Sequence, residues 1–158
     1  MKNFTIEIKW SVLFAVAALL WMFVEKASGL HDEHIGKHAI YTNIFAIVAI
    51  AIYTFALLDK KKNFFNGKMD WKQGFVTGLI ITIFITVLSP LTQYITSTFI
   101  TPDYFSNVIA YTVSNKVMTQ EAAETYFNLK SYIVQGIFGA LSMGVVTSAI
   151  VAFFTKSK

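Results

Sequence analysis

Four stretches without an ionised side chain constrain this chain more than anything else in it: residues 10–24, 39–58, 73–102 and 131–155. One ionised group at the centre of a membrane helix costs roughly 2.5 to 3.5 kcal/mol on insertion scales, so runs of this kind mark where a chain can enter lipid. Crossing roughly 30 Å of hydrocarbon takes about 20 residues at 1.5 Å each. The last three runs meet that length directly. The first must borrow a turn at each end, leaving Lys9 to snorkel at one interface and Glu25 and Lys26 near the other. The expected fold is all-α: a four-span transmembrane helical bundle in one integral membrane domain over 1–158, with spans at about 6–27, 36–58, 73–100 and 128–154.

Composition closes off the soluble alternative. Apolar residues make up 55% of the 158 positions and charged residues 14%, too few to coat a water-soluble core of this size. There is no Cys, which removes disulfides, thiol catalysis and cysteine metal sites. The net charge of +4 comes entirely from Lys; without Arg to fork onto phosphate or guanine, nucleic acid is not an expected partner.

The lysines instead orient the chain. Lys2, Lys9, Lys60, Lys61, Lys62, Lys68, Lys72, Lys156 and Lys158 fall on one side of the four spans, and only Lys26, Lys37, Lys116 and Lys130 on the other. The positive-inside rule then places both termini and the lysine-rich loop between spans two and three in the cytoplasm. The first span also has the outline of a secretory signal, with Ala27, Ser28 and Gly29 behind it, but Glu25 and Lys26 crowd that cleavage site.

Between spans three and four, Thr101, Pro102 and Asp103 spell a helix start, with Thr101 as the hydroxyl cap. Phe105, Val108, Ile109 and Thr112 or Val113 then share one face, which predicts a short amphipathic helix at the outer interface. From Thr119 nothing in the pattern breaks a helix before Phe154. About 36 residues at 1.5 Å each would reach roughly 54 Å, beyond the bilayer.

Small residues recur every fourth position in span four (Gly136, Ala140, Gly144, Ser148, Ala152) and in span three (Gly74, Gly78, Thr82, Thr86). Such stripes let helices approach closely in lipid, and they predict packing of span three on span four, or self-association into a homo-oligomer. Val151 is expected to face lipid. Pro90 removes its own donor and frees the Thr86 carbonyl, so a kink is expected near mid-span.

The run 31–38 holds all three histidines, His31, His34 and His38, at spacings that would align them on one helical face, with Glu25 at similar depth across the turn at Gly29. Imidazoles with a carboxylate suit Zn²⁺, Ni²⁺ or Cu²⁺. The competing reading is a wet helix start whose acids, Asp32 and Glu33, complement the dipole. No catalytic motif accompanies the run, and the spans show no buried acid pair or ion relay between their ends, so no enzyme activity and no cofactor are expected.

Finally, the segments LHDEHIGKHAIYTNIFAI, DKKKNFFNGKMDWKQGFVTGL, LSPLTQYITSTFITPDYF and EAAETYFNLKSY resemble the small Bacteroidota membrane proteins grouped as domain of unknown function 4199. The resemblance covers nearly the whole chain and implies a four-helix inner-membrane protein; it brings no activity, substrate or site residue with it. The expected role is a non-enzymatic interaction or membrane-support protein with lipid and a membrane protein, or another copy, as partners. The alternative is a small transport or sensing module using the outer histidines for a divalent metal or small solute.

Overall fold

The computed structural model describes residues 4–157; Lys2 and Lys158 of the orienting lysines lie outside the described residues. All regular structure among these residues is helical: α1 (Thr5–Ala27), α2 (Ile35–Tyr41), α3 (Phe45–Asn63), α4 (Trp71–Ile95), α5 (Tyr104–Ser114), α6 (Gln120–Tyr126) and α7 (Leu129–Thr155). A 3₁₀ turn at Thr42–Ile44 joins α2 to α3, and α4 ends in a π turn at Thr96–Ile100. Four helical segments are long and apolar enough to cross a membrane: Thr5–Ala27, Ile35–Asn63, Trp71–Ile100 and Leu129–Thr155. Their outer surface carries exposed apolar side chains such as Ile47, Val87, Phe138 and Phe154, the exposure that lipid removes.

Helix boundaries follow local chemistry. Asp70 and Gln73 form a reciprocal capping box at the start of α4, with bonds of 2.8 and 2.9 Å. At the end of α1, Leu30 N–H reaches the Glu25 carbonyl at 3.0 Å and Gly29 N–H the Lys26 carbonyl at 3.0 Å. With Gly29 at φ +71°, this is a Schellman turn, which reverses the chain immediately beyond Glu25. Helix α4 continues through Pro90, and the Ser89 hydroxyl donates to the Thr86 carbonyl at 2.9 Å, replacing the bond that proline cannot make.

Two expected boundaries differ. The single long helix from Thr119 to Phe154 is broken between α6 and α7, because Asn128 serves both ends. Its side chain accepts from Ser131 N–H at 2.9 Å and donates to the carbonyls of Glu124 and Thr125 at 3.0 and 2.8 Å. At α5 the expected Thr101 hydroxyl cap is not used: the N-cap is Asp103, without a side-chain bond, and Thr101 is buried. The inward face of α5 is Tyr104, Val108 and Thr112.

The bundle is organised around the α4–α7 pair, the most extensive helix contact, with α1 and α3 laid against it. Tyr53, Ala56, Leu57, Met69, Ile81, Ile85, Val151 and Ala152 form the core. Val151 is therefore internal and not a lipid-facing residue. Small residues set the approach. A Cβ on Gly144 would stand 2.4 Å from Thr82 Cγ2, one on Gly78 would stand 2.5 Å from Ser148 Oγ, and one on Gly74 would stand 3.1 Å from Ala152 Cβ. The stripe is open at its other end: a Cβ on Gly136 would meet nothing within 4 Å, so this residue packs against no helix. Thr82 completes the seam, donating to the Gly78 carbonyl at 2.9 Å and meeting Tyr53 Oη at 2.8 Å.

One end of the bundle gathers the start of α1, the α3–α4 turn and the end of α7, tied by Ser157 N–H to the Met69 carbonyl at 2.7 Å and Lys61 Nζ to the Thr155 carbonyl at 2.9 Å. The opposite end gathers the α1–α2 turn, the end of α4, α5 and the start of α7. The histidines sit there.

Candidate metal centre

Glu25 lies in the last turn of α1 and is 1% exposed. A carboxylate so placed must be satisfied by its neighbours. Its Oε1 accepts from the Trp21 indole one turn earlier. Its Oε2 meets two imidazoles, His31 Nε2 at 3.2 Å and His38 Nε2 at 3.1 Å. The Schellman turn makes this possible: Asp32 and His34 N–H both return to the Gly29 carbonyl, at 3.3 and 2.7 Å, curling the chain so that His31 folds back over Glu25. His38 comes from α2, one turn before the Thr42 hydroxyl, which also bonds to Glu25.

Helix α5 closes the site from the far side. Gly36 lets it approach, since a Cβ there would stand 2.4 Å from Tyr111 Oη. Asn107 Nδ2 donates to the His31 carbonyl at 3.0 Å. Tyr104 Oη lies 3.2 Å from His38 Nδ1 and 3.3 Å from Tyr132 Oη, and the rings of His31, His38 and Tyr104 are mutually 5.2 Å apart. Burial pushes the Tyr104 phenol above its ordinary range, and the Glu25 charge adds to that direction, so it stays a hydrogen-bonding phenol.

His31 is 3% exposed and its Nδ1 is buried without a hydrogen-bond partner. Beside it a cavity of about 190 Å³ is lined by His38, Thr42, Gln93, Tyr104 and Tyr132. One donor atom each from Glu25, His31 and His38 lies within 4.8 Å of the others. Zinc bonds of about 2.0–2.2 Å in a tetrahedral site space neighbouring ligands roughly 3.3–3.5 Å apart. The two Glu25–imidazole separations, 3.2 and 3.1 Å, are already close to that spacing, and the third edge, between the two imidazoles, lies within 4.8 Å. The cavity leaves a side of the site open to water or another ligand.

Of the four residues singled out in the sequence, the structure brings together Glu25, His31 and His38. His34 stands apart. It is the exposed N-cap residue of α2, because residues 31–34 form a turn and not the helix that would have aligned all three rings. Tyr104 and Tyr132 were not anticipated. Their only trace in sequence is that a tyrosine leads the apolar face of α5 and another opens a membrane span.

A second ionic site lies at the opposite end of the bundle. Glu7 of α1 pairs with Lys60 of α3 at 2.8 Å, with side chains 1% and 5% exposed. Lys9, expected to snorkel, pairs with Asp59.

No curated protein and no solved structure matches the chain. A family model described as a protein of unknown function does match, over residues 9–157. That match runs from the first span to the last, and the chain accordingly belongs to the DUF4199 family.

Proposed function

We propose that this protein is a non-enzymatic binding module of a bacterial inner membrane, of Bacteroidota type, that takes a divalent transition-metal ion through Glu25, His31 and His38. The observation carrying this reading is the convergence of two imidazole Nε2 atoms on one oxygen of a buried carboxylate. Two nitrogens and an oxygen suit Zn²⁺, with Ni²⁺ and Cu²⁺ as competitors. A ligating Nε2 must be free of its proton, so each neutral imidazole would carry its single ring proton on Nδ1; Tyr104 Oη, 3.2 Å from His38 Nδ1, would then accept from His38, the outer-sphere role that orients a ligating imidazole. Both termini and the lysine-rich α3–α4 turn are cytoplasmic, which puts the metal centre at the outer face.

The test is direct. Protein purified in detergent, stripped with a chelator and dialysed against Zn²⁺ should hold one ion per chain by mass spectrometry of the metal. Glu25→Gln and the pair His31→Ala with His38→Ala should lose it, and His34→Ala should keep it. Equal zinc in all four proteins would refute the assignment.

A further inference from the structure

At the lysine-rich end, a cavity of about 310 Å³ opens between the start of α1, the end of α3 and the first three turns of α4. It lies at the opposite end of the bundle from the histidines and shares no residue with them. Its wall is almost wholly apolar, built from Phe4, Phe64, Phe65, Val76 and Ile80, and three charged residues line it: Glu7, Lys60 and Lys72.

The carboxylate of Glu7 is half satisfied. Oε1 holds Lys60, whose ammonium also lies over the Phe64 ring at 3.8 Å, but Oε2 is buried with no hydrogen-bond partner. An ionised carboxylate only accepts, so what completes it must donate. Among the described residues the charged groups of the lining sum to one positive charge, so the complementary guest carries one negative charge. The apolar wall asks for hydrocarbon, and the position at the ends of three candidate membrane-spanning helices is where lipid head groups meet the protein.

We propose that this cavity binds a monoanionic phospholipid with a hydroxylated head group, of the phosphatidylglycerol class. A head-group hydroxyl donates to Glu7 Oε2, the phosphate lies toward Lys72 and Lys60, and one acyl chain runs along Phe64, Val76 and Ile80. Lysines near a membrane surface favour anionic lipid in just this way, and the buried acceptor adds selection among anionic heads.

The experiment is native mass spectrometry of the full chain released from nanodiscs containing phosphatidylglycerol, phosphatidylethanolamine and phosphatidylcholine in equal amounts. One phosphatidylglycerol should remain bound per chain. Lys72→Gln alters an exposed side chain and should lower its occupancy about fivefold, the factor for one surface lysine. Val76→Trp fills the cavity without touching the ion pair and should abolish retention while leaving the melting temperature near wild type. Equal retention of the three lipids, or unchanged retention in both variants, would overturn the proposal. So would displacement by soluble glycerol phosphate, because the acyl chain would then contribute nothing.

Discussion

At the residue scale, the two ionic sites differ in what they ask of their neighbours. Tyr104 touches no expected metal-binding atom of Glu25 yet fixes the His38 ring, and loss of such an outer partner typically lowers metal affinity about 10- to 100-fold. Tyr104→Phe should therefore weaken Zn²⁺ binding by that order in competition with a chromophoric chelator, with helix content unchanged. Affinity in the wild type should also fall as pH is lowered, because protons compete for the same nitrogen lone pairs; a flat profile would speak against imidazole ligation. The Glu7–Lys60 pair behaves otherwise. Lys60→Met strands a buried carboxylate and should cost about 3–5 kcal/mol, whereas Glu7→Leu with Lys60→Met should recover most of it, as measured by denaturation in detergent. These side chains were unevenly legible. The histidines are legible as a cluster, but which of them join Glu25 depends on a turn centred on Gly29, and helical spacing alone does not separate His34 from the other two. Glu7 was hidden because an acid near a span end reads as interfacial until Lys60, fifty-three residues on, is placed beside it.

At the element scale, charge-free runs located every span, because insertion depends on composition more than on packing. Contact between spans was legible only in part. The recurrence of small residues along α7 is uniform in sequence, but a repeat of four drifts about 40° per step round a helix of 3.6 residues per turn, so equivalent positions have unequal roles. Gly144→Ala should cost about 1–3 kcal/mol, since its Cβ would meet Thr82 within 3 Å. Gly136→Ala and Val146→Leu, the latter on an exposed face, should change stability by less than about 0.5 kcal/mol. Thermal melts of the three variants in one detergent decide it; a damaging Gly136→Ala would mean that the stripe is covered along its whole length. The break before α7 is illegible in the sequence for a related reason. Asn128 looks unremarkable among helix-compatible residues, and it ends one helix and starts the next only through three bonds made by a single side chain.

At the scale of the whole molecule, the bundle is a polar-ended cylinder with lysines and Glu7 at one pole and the Glu25–histidine cluster at the other. If the lysine pole is cytoplasmic, cysteine at Asn63 should react with an impermeant maleimide only after cells are opened, and cysteine at Ser106 should react in intact spheroplasts. The opposite pattern would invert the protein and move the metal centre inside. The two poles are joined by α1, which carries a buried, paired carboxylate near each end. Glu7 and Glu25 are separated along its axis by about 27 Å at 1.5 Å per residue, slightly less than the roughly 30 Å hydrocarbon depth of a typical bilayer. A helix free at one end adapts to a thinner or thicker membrane by tilting or sliding. Here any sliding of α1 against its neighbours would draw a carboxylate from its partner, so α1 keeps its register and the bundle must meet the membrane as a unit. The protein should be most resistant to unfolding in vesicles whose acyl chains match that length, and lose resistance when the chains are shortened or extended by a few carbons.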